Sequence, residues 1–353
     1  MRAVLCREYG PIESLTIGEL PSPAPGRGEV LVQVHAVGIN FTDVLAVEGR
    51  SQLKRHLPMV PGVEGAGVVM AVGEGVTKLK PGYRVLGNKA HGAFAEEVVF
   101  KEDELAVIPE RMSMQHAATF YTANFTVYHG LVTRADLQAG ENLLVLGAGG
   151  GVGLVTIEMG KALGARVVAA ASSEDKLALA REKGADAVVL YDRGPLDLEA
   201  QKALTKELLR HAERDEKEQP TAIGEISTIK AGSGYHVIMD GVGGSYAEPC
   251  LRALGWEGRY LTVGFAAGMA VVPLGPALFK NADIMGIQPS SPRHRLPGRN
   301  PEMMRRLFGW YTEGKLHPHI SASLPLAEVS TALKMVKERR ATGRIVLTTS
   351  HHE

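Results

Sequence analysis

The chain has 353 residues, 45% of them hydrophobic, enough for the cores of two domains at about 150 residues each. Lys plus Arg and Asp plus Glu balance at 39 each, so no net charge directs the protein to nucleic acid or to an anionic membrane. Two cysteines, Cys6 and Cys250, without a CxxC spacing, exclude a disulfide framework and read as ordinary buried thiols.

The start, MRAVLCREYG, lacks the apolar stretch of a secretory signal, and no uncharged run is long enough to span a bilayer. The expectation is a soluble, cytoplasmic protein with no membrane partner. Residues 1–122 read as a β-rich lobe. Val30–Val37, Gly67–Val72 and Ala95–Phe100 are strand candidates, punctuated by Pro25-Gly26, Pro61-Gly62 and Pro81-Gly82. Residues 123–287 alternate strand and helix, the pattern of a parallel sheet covered by helices. Their strands are Leu143–Leu146, Arg166–Ala171, Val188–Leu190, His236–Met239 and Arg259–Val263. Within them, 193–234 reads as a surface insertion, either a solvated connector or a regulatory or partner-binding element, carrying a solvated, charge-rich helix, Glu199–Lys217, with Leu204, Leu208 and Ala212 at i, i+4 spacing. Residues 288–353 return to the first lobe through a Pro/Arg-rich loop, helices at Glu302–Glu313 and Leu326–Glu338, and a closing strand, Arg344–Thr348.

The stretch Leu143–Gly164 is the most informative. A buried strand runs into Gly147, Gly149, Gly150, Gly151, Val152 and Gly153, then into an amphipathic helix with Val155, Met159 and Leu163 in step. This is the size of a mononucleotide-binding βαβ half. Glycines let the backbone approach a pyrophosphate, and the helix start offers free N–H groups and partial positive charge. The second strand ends at Ser172-Ser173 without the carboxylate that accepts ribose hydroxyls in NAD sites. Ser172, Ser173, Lys176 and Tyr191 converge on a 2′-phosphate, with Arg193 nearby, so the cofactor expected is NADPH. Val263-Gly264-Phe265 follows a strand at the carboxyl edge of the sheet, where its backbone can hold a carboxamide; Asn281 is a further candidate of that kind.

Seven motifs occur in one order along nearly the whole length. They are Gly38–Asp43, Pro61–Val69, Gly82–Val85, Gly147–Gly153, Gly164-Ala165, Gly241–Gly244 and Thr342–Leu347. On them the chain resembles medium-chain dehydrogenases/reductases, in particular the zinc-free quinone oxidoreductase (zeta-crystallin-like) branch. The resemblance implies an α/β fold: a doubly wound Rossmann sheet plus a GroES-like β-rich catalytic lobe, with the cofactor in the cleft between them. It implies that Asn40 reaches the nicotinamide, that Thr122 and Thr126 lie near the nicotinamide ribose and phosphate, and that the protein is a homodimer through sheet edges near Ile284–Ile287. It departs from the family in the long 193–234 segment and in Gly49-Arg50-Ser51, where members often carry a tyrosine.

Zinc enzymes of the superfamily place a cysteine and a histidine where this chain has Asn40 and Val63, and two cysteines cannot build their four-cysteine site. No metal is therefore expected. His317-Pro318-His319 and His351-His352 lack cysteine support as a site. Without a Lewis acid, reduction of an electron-poor acceptor is the better match than alcohol oxidation. The expected reaction is hydride transfer from NADPH to a quinone or an α,β-unsaturated carbonyl. The alternatives are an enoyl-thioester reductase, for which Arg293-His294-Arg295 with Arg299 would meet a phosphorylated carrier, and a nonenzymatic NADPH-binding protein. Asp43, Tyr121 and Tyr128 are open as proton donors. Asp43 also fits a turn-stabilising acceptor, and either tyrosine fits the core.

Overall fold

The computed structural model describes residues 1–51, 54–212, 234–288 and 300–350. The basic loop at 293–299, the pair His351-His352 and the segment 213–233 lie outside these residues. The chain divides into two compact units. One holds Met1–Ala123, Met304–Thr312 and His317–Glu353; the other holds Asn124–Met303 and Glu313–Leu316.

The first unit is built around the ten-residue strand Glu29–Gly38, whose apolar positions face a core of Val30, Val32, Val34, Phe94, Phe100 and Leu347. A seven-strand sheet assembles on it. Glu64–Val72 pairs with it antiparallel along its length, Glu97–Lys101 pairs with its first half, and Arg344–Thr348 pairs with its last residues. The registers matter for the site. Gly38 lies opposite Glu64 on one side and opposite Val346 on the other. The end of one strand thus meets the start of another and the last strand of the chain, and Ile39 continues the pairing by donating its N–H to the Ile345 carbonyl at 3.0 Å.

The second unit is a six-stranded sheet, every neighbouring pair parallel. Its order is Ala187–Leu190, Arg166–Ala171, Asn142–Leu146, Tyr235–Asp240, Leu254–Thr262, Asp283–Gly286. In chain order this is 3-2-1-4-5-6, the doubly wound topology in which ligands bind beyond the carboxyl ends of the strands. Asn142–Leu146 is buried throughout, as a central strand covered on both faces must be. The helix Gly151–Ala162 covers it with Leu154, Val155, Ile157 and Met159.

One expectation changes here. The helix Leu198–His211 is not a solvated excursion. Leu204 and Leu208 are buried in the same core as Tyr235 and Leu251, and Tyr235 Oη donates to the Leu208 carbonyl at 2.8 Å. Arg166 reaches the helix end through the His211 carbonyl at 2.8 Å. This part of 193–234 belongs to the layer that covers the sheet. Its charged outer face hides an apolar stripe only one residue wide.

Candidate functional site

In the second unit the glycine turn has the shape a dinucleotide requires. The first turn of Gly151–Ala162 leaves the N–H groups of Gly151, Val152 and Gly153 without helical partners. A Cβ on Gly153 would lie 2.4 Å from the Gly147 carbonyl oxygen, so only glycine lets the helix close on the turn. A Cβ on Gly149 would lie 2.5 Å from Lys176 Cγ. The lysine stem therefore lies across the glycine turn, a contact the sequence did not predict.

Around that lysine, three elements meet at the carboxyl edge of the first two strands. Ser172 and Ser173 follow Arg166–Ala171, with Ser173 opening the helix Glu174–Glu182. Tyr191 follows the neighbouring strand and donates its N–H to the Ala171 carbonyl at 3.0 Å. Arg193 Nε donates to Ser172 Oγ at 3.3 Å, so the arginine is drawn into the set rather than led away by the segment after it. Tyr246 holds this loop in place: its hydroxyl lies 2.6 Å from the Asp192 carbonyl and 2.7 Å from that of Gly194. The same edge carries Val263, whose N–H donates to the Asp240 carbonyl at 2.9 Å, and the exposed Phe265.

Asn281 is a correction. It sits before the strand Asp283–Gly286, at the amino edge of the parallel sheet, and its amide donates to Glu257 Oε1 at 3.2 Å. With φ at 50° it serves a left-handed turn. It lies at the wrong edge to hold a cofactor.

In the first unit, the registers described above gather Asn40, Asp43, Glu64, Thr122 and Arg344 into one buried polar cluster. Glu64 is its hub: Oε1 accepts from Asn40 Nδ2 at 2.9 Å and from Arg344, and Oε2 accepts from the Thr122 N–H at 2.9 Å. Arg344 Nη1 also donates to Asn40 Oδ1 at 3.1 Å. The Asn40 amide is thus engaged at both ends within its own unit, and only 6% of the residue is exposed. Thr122 Oγ1 accepts from Asn88 Nδ2 at 3.2 Å. Thr126 is buried in the other unit.

Asp43 is also corrected as a proton donor to substrate. It is 1% exposed, and its Oδ2 accepts the Asn40 N–H at 2.8 Å, half of a capping box at the start of the helix Phe41–Val47. Its Oδ1 has no hydrogen-bond partner among the described residues. Burial, reinforced by the Glu64 charge, pushes the carboxyl up to about 8. Tyr121 is buried at the first turn of Tyr121–Tyr128, and Tyr128 is half-buried near its end.

Among the described residues, no group of three or more His, Cys, Asp or Glu is placed to hold a metal ion. His317 packs edge-on against His116 at 4.6 Å between ring centroids, while the backbone carbonyl of His319 accepts the Arg344 N–H, so the two histidines are turned to different tasks. Cys6 and Cys250 are free and buried. Nor does any described helix have the length and apolarity to cross a membrane.

Comparison with known proteins agrees with this architecture. Residues 26–110 match the alcohol dehydrogenase GroES-like domain, and residues 151–307 match the zinc-binding dehydrogenase family. Quinone oxidoreductase-like protein 2 homolog of Nematostella vectensis is 35% identical over 99% of this chain and 89% of its own length. Among solved structures, Escherichia coli quinone oxidoreductase complexed with NADPH superposes with a TM-score of 0.83 at 25% identity, covering 99% of this chain and all (100%) of the other. Mycobacterial Rv1454c complexed with NADPH gives a TM-score of 0.84 at 26% identity, covering 99% and 100%.

Proposed function

We propose that this chain, which belongs to the quinone oxidoreductase branch of the medium-chain dehydrogenase/reductase superfamily, binds NADPH and reduces a quinone or an α,β-unsaturated carbonyl without zinc. The observations that carry the reading are the Arg193 bond to Ser172 at the end of the second strand and the Lys176 stem lying against Gly149 of the glycine turn. Two cations and a hydroxyl suit a 2′-phosphate, and no carboxylate ends the second strand to repel it.

The chain's residues divide the work. The N–H groups of Gly151, Val152 and Gly153 take the pyrophosphate, and Gly147, Gly149 and Gly150 let it approach. Ser172, Ser173, Lys176, Tyr191 and Arg193 take the adenosine phosphate end. The backbone around Val263 and Phe265 holds the carboxamide end. Bound NADPH supplies the hydride, and the acceptor is a small electrophile. Asn40, held by Glu64 and Arg344, and Thr122 form the polar wall of the catalytic unit. No side chain need deliver the last proton, because a reduced quinone takes it from water.

Zinc does not fit the residues present. An asparagine amide already bonded at both ends stands at one ligand position and Val63 at the other. The proposal also includes a cytoplasmic homodimer. The edge strand Asp283–Gly286 and the residues before it expose Val271 at 93%, Leu278 at 77% and Phe279 at 69%, apolar surface that a second copy would cover. Two buried free thiols suit a reducing compartment.

The test is steady-state oxidation of NADPH against a panel of quinones, enones and enoyl-CoA thioesters, with metal analysis of the purified protein. Turnover of quinones or enones with no stoichiometric zinc is expected. Turnover of thioesters alone would transfer the assignment to enoyl-thioester reduction. Tight NADPH binding with no turnover would make it a binding protein.

A further inference from the structure

Asp240 ends the fourth strand of the parallel sheet and is fully buried, 0% exposed. Among the described residues no cation bonds to it; each bond to its carboxylate comes from a neutral donor. Oδ1 accepts the N–H groups of Val242 at 2.7 Å and Gly243 at 2.9 Å, and Oδ2 accepts the Tyr260 hydroxyl. Its main-chain carbonyl accepts the N–H groups of Val263 at 2.9 Å and Gly264 at 3.2 Å. One residue therefore grips two turns: the one after its own strand and the one after the neighbouring strand Leu254–Thr262. A second pair of bonds, Ala267 N–H to the Val242 carbonyl at 2.7 Å and Gly244 N–H to the Gly268 carbonyl at 2.9 Å, closes the turns on each other.

A buried carboxylate without a cation is a costly way to close a turn. A serine would cap Val242 and Gly243 at lower cost. The extra group the carboxylate captures is Tyr260, which lies on the strand that leads into Val263. We propose that Asp240, through Tyr260, is a positioning residue that sets the Val263–Phe265 backbone for the nicotinamide half of the cofactor, independently of the adenosine-phosphate half. Asp240 itself does not touch the ligand. The inference rests on the NADPH reading and adds to it an internal division of the site. The adenosine end is held by a different set, in which Tyr246 fixes Asp192 and Gly194 and Arg193 meets Ser172.

The substitutions separate the two grips. In Asp240→Ser the hydroxyl oxygen can still accept from Val242 and Gly243 but is too short to reach the Tyr260 hydroxyl. In Tyr260→Phe the carboxylate keeps both N–H donors and loses only the hydroxyl. Calorimetric titration of wild type and both variants with NADPH and with 2′,5′-ADP, which carries the phosphate end but no nicotinamide, reads each end alone. The fluorescence of bound NADPH reports immobilisation of the nicotinamide. The expected result for both variants is NADPH affinity reduced tenfold or more, fluorescence enhancement lost, and 2′,5′-ADP affinity within twofold of wild type. An equal loss for both ligands would make Asp240 a general stabiliser, and unchanged NADPH binding would remove it from the site; either overturns the inference alone. Wild-type protein that binds neither ligand overturns the NADPH reading and the inference with it.

Discussion

Asp43 offers a quantitative test of the buried cluster. Its carboxyl is pushed up to about 8 from an ordinary 3.8, chiefly by burial and then by the Glu64 charge. Between these two values the unfolded chain has released the proton while the folded chain still holds it. Raising the pH through this window therefore favours unfolding, by about 1.4 kcal/mol per pH unit for one proton. From pH 5 to pH 7 the loss is about 2.7 kcal/mol, and the effect levels off once the pH passes the folded value. Asp43→Asn keeps an oxygen for the Asn40 N–H but has no proton to lose. Urea unfolding of wild type and variant at pH 5, 6 and 7 reads the difference directly. The gap between the two proteins should move by about 2.7 kcal/mol across this range, in favour of the variant at the higher pH. A gap that stays constant from pH 5 to pH 7 would mean that Asp43 is ionised throughout, sharing Arg344 with Glu64, and the reasoning would be refuted.

Three other outcomes follow from the same geometry. Lys176→Ala should weaken NADPH about 10- to 100-fold, the worth of one charge-assisted bond of about 1.5–3 kcal/mol, while NADH titrated in parallel changes little; equal weakening of both would take the lysine out of the phosphate set. Glu64→Leu strands the Arg344 guanidinium, only 8% exposed, without its carboxylate, and should cost about 3–5 kcal/mol in urea unfolding, whereas a cost under about 1 kcal/mol would mean that water reaches the arginine. The double variant Val271→Asp, Leu278→Glu should turn a dimer into a monomer by light scattering with NADPH binding retained; a wild-type monomer would refute the proposed interface.

Sequence reasoning reached the sheet because its signals are local. Leu143–Leu146 and Arg166–Ala171 are uninterrupted apolar runs, and a glycine cluster between a strand and a helix has few other uses. It failed where the answer depended on direction or distance. Asn281 stands close to a strand in sequence, but which edge it occupies depends on where the strand begins, two residues later. The helix Leu198–His211 looked solvated because Leu204 and Leu208 carry its burial almost alone among charged neighbours. Arg344 lies 304 residues from Asn40, and only the pairing of the last strand with Glu29–Gly38 joins them. Asp240 had a legible signal, a single carboxylate closing an apolar strand just before Gly241-Val242-Gly243-Gly244, but its second grip lies on another strand.

The charges of the first unit's cluster connect these points to the proposal that the protein works without zinc. Glu64 and Arg344 neutralise one another, and Asp43 holds its proton across the neutral range, so the cluster is electrically closed without a metal. Most of its hydrogen bonds are internal too: Asn40 donates to Glu64 and accepts from Arg344, and the second oxygen of Glu64 accepts from the Thr122 N–H, while Asp43 Oδ1 and Arg344 Nε have no partner among the described residues. A divalent cation at Asn40 would have to break two of these bonds and would meet no uncompensated negative charge. If Asp43 proves ionised at pH 7, the cluster carries one net negative charge and this barrier falls. The urea series therefore bears on zinc independence as well as on stability, and it does so without measuring a metal.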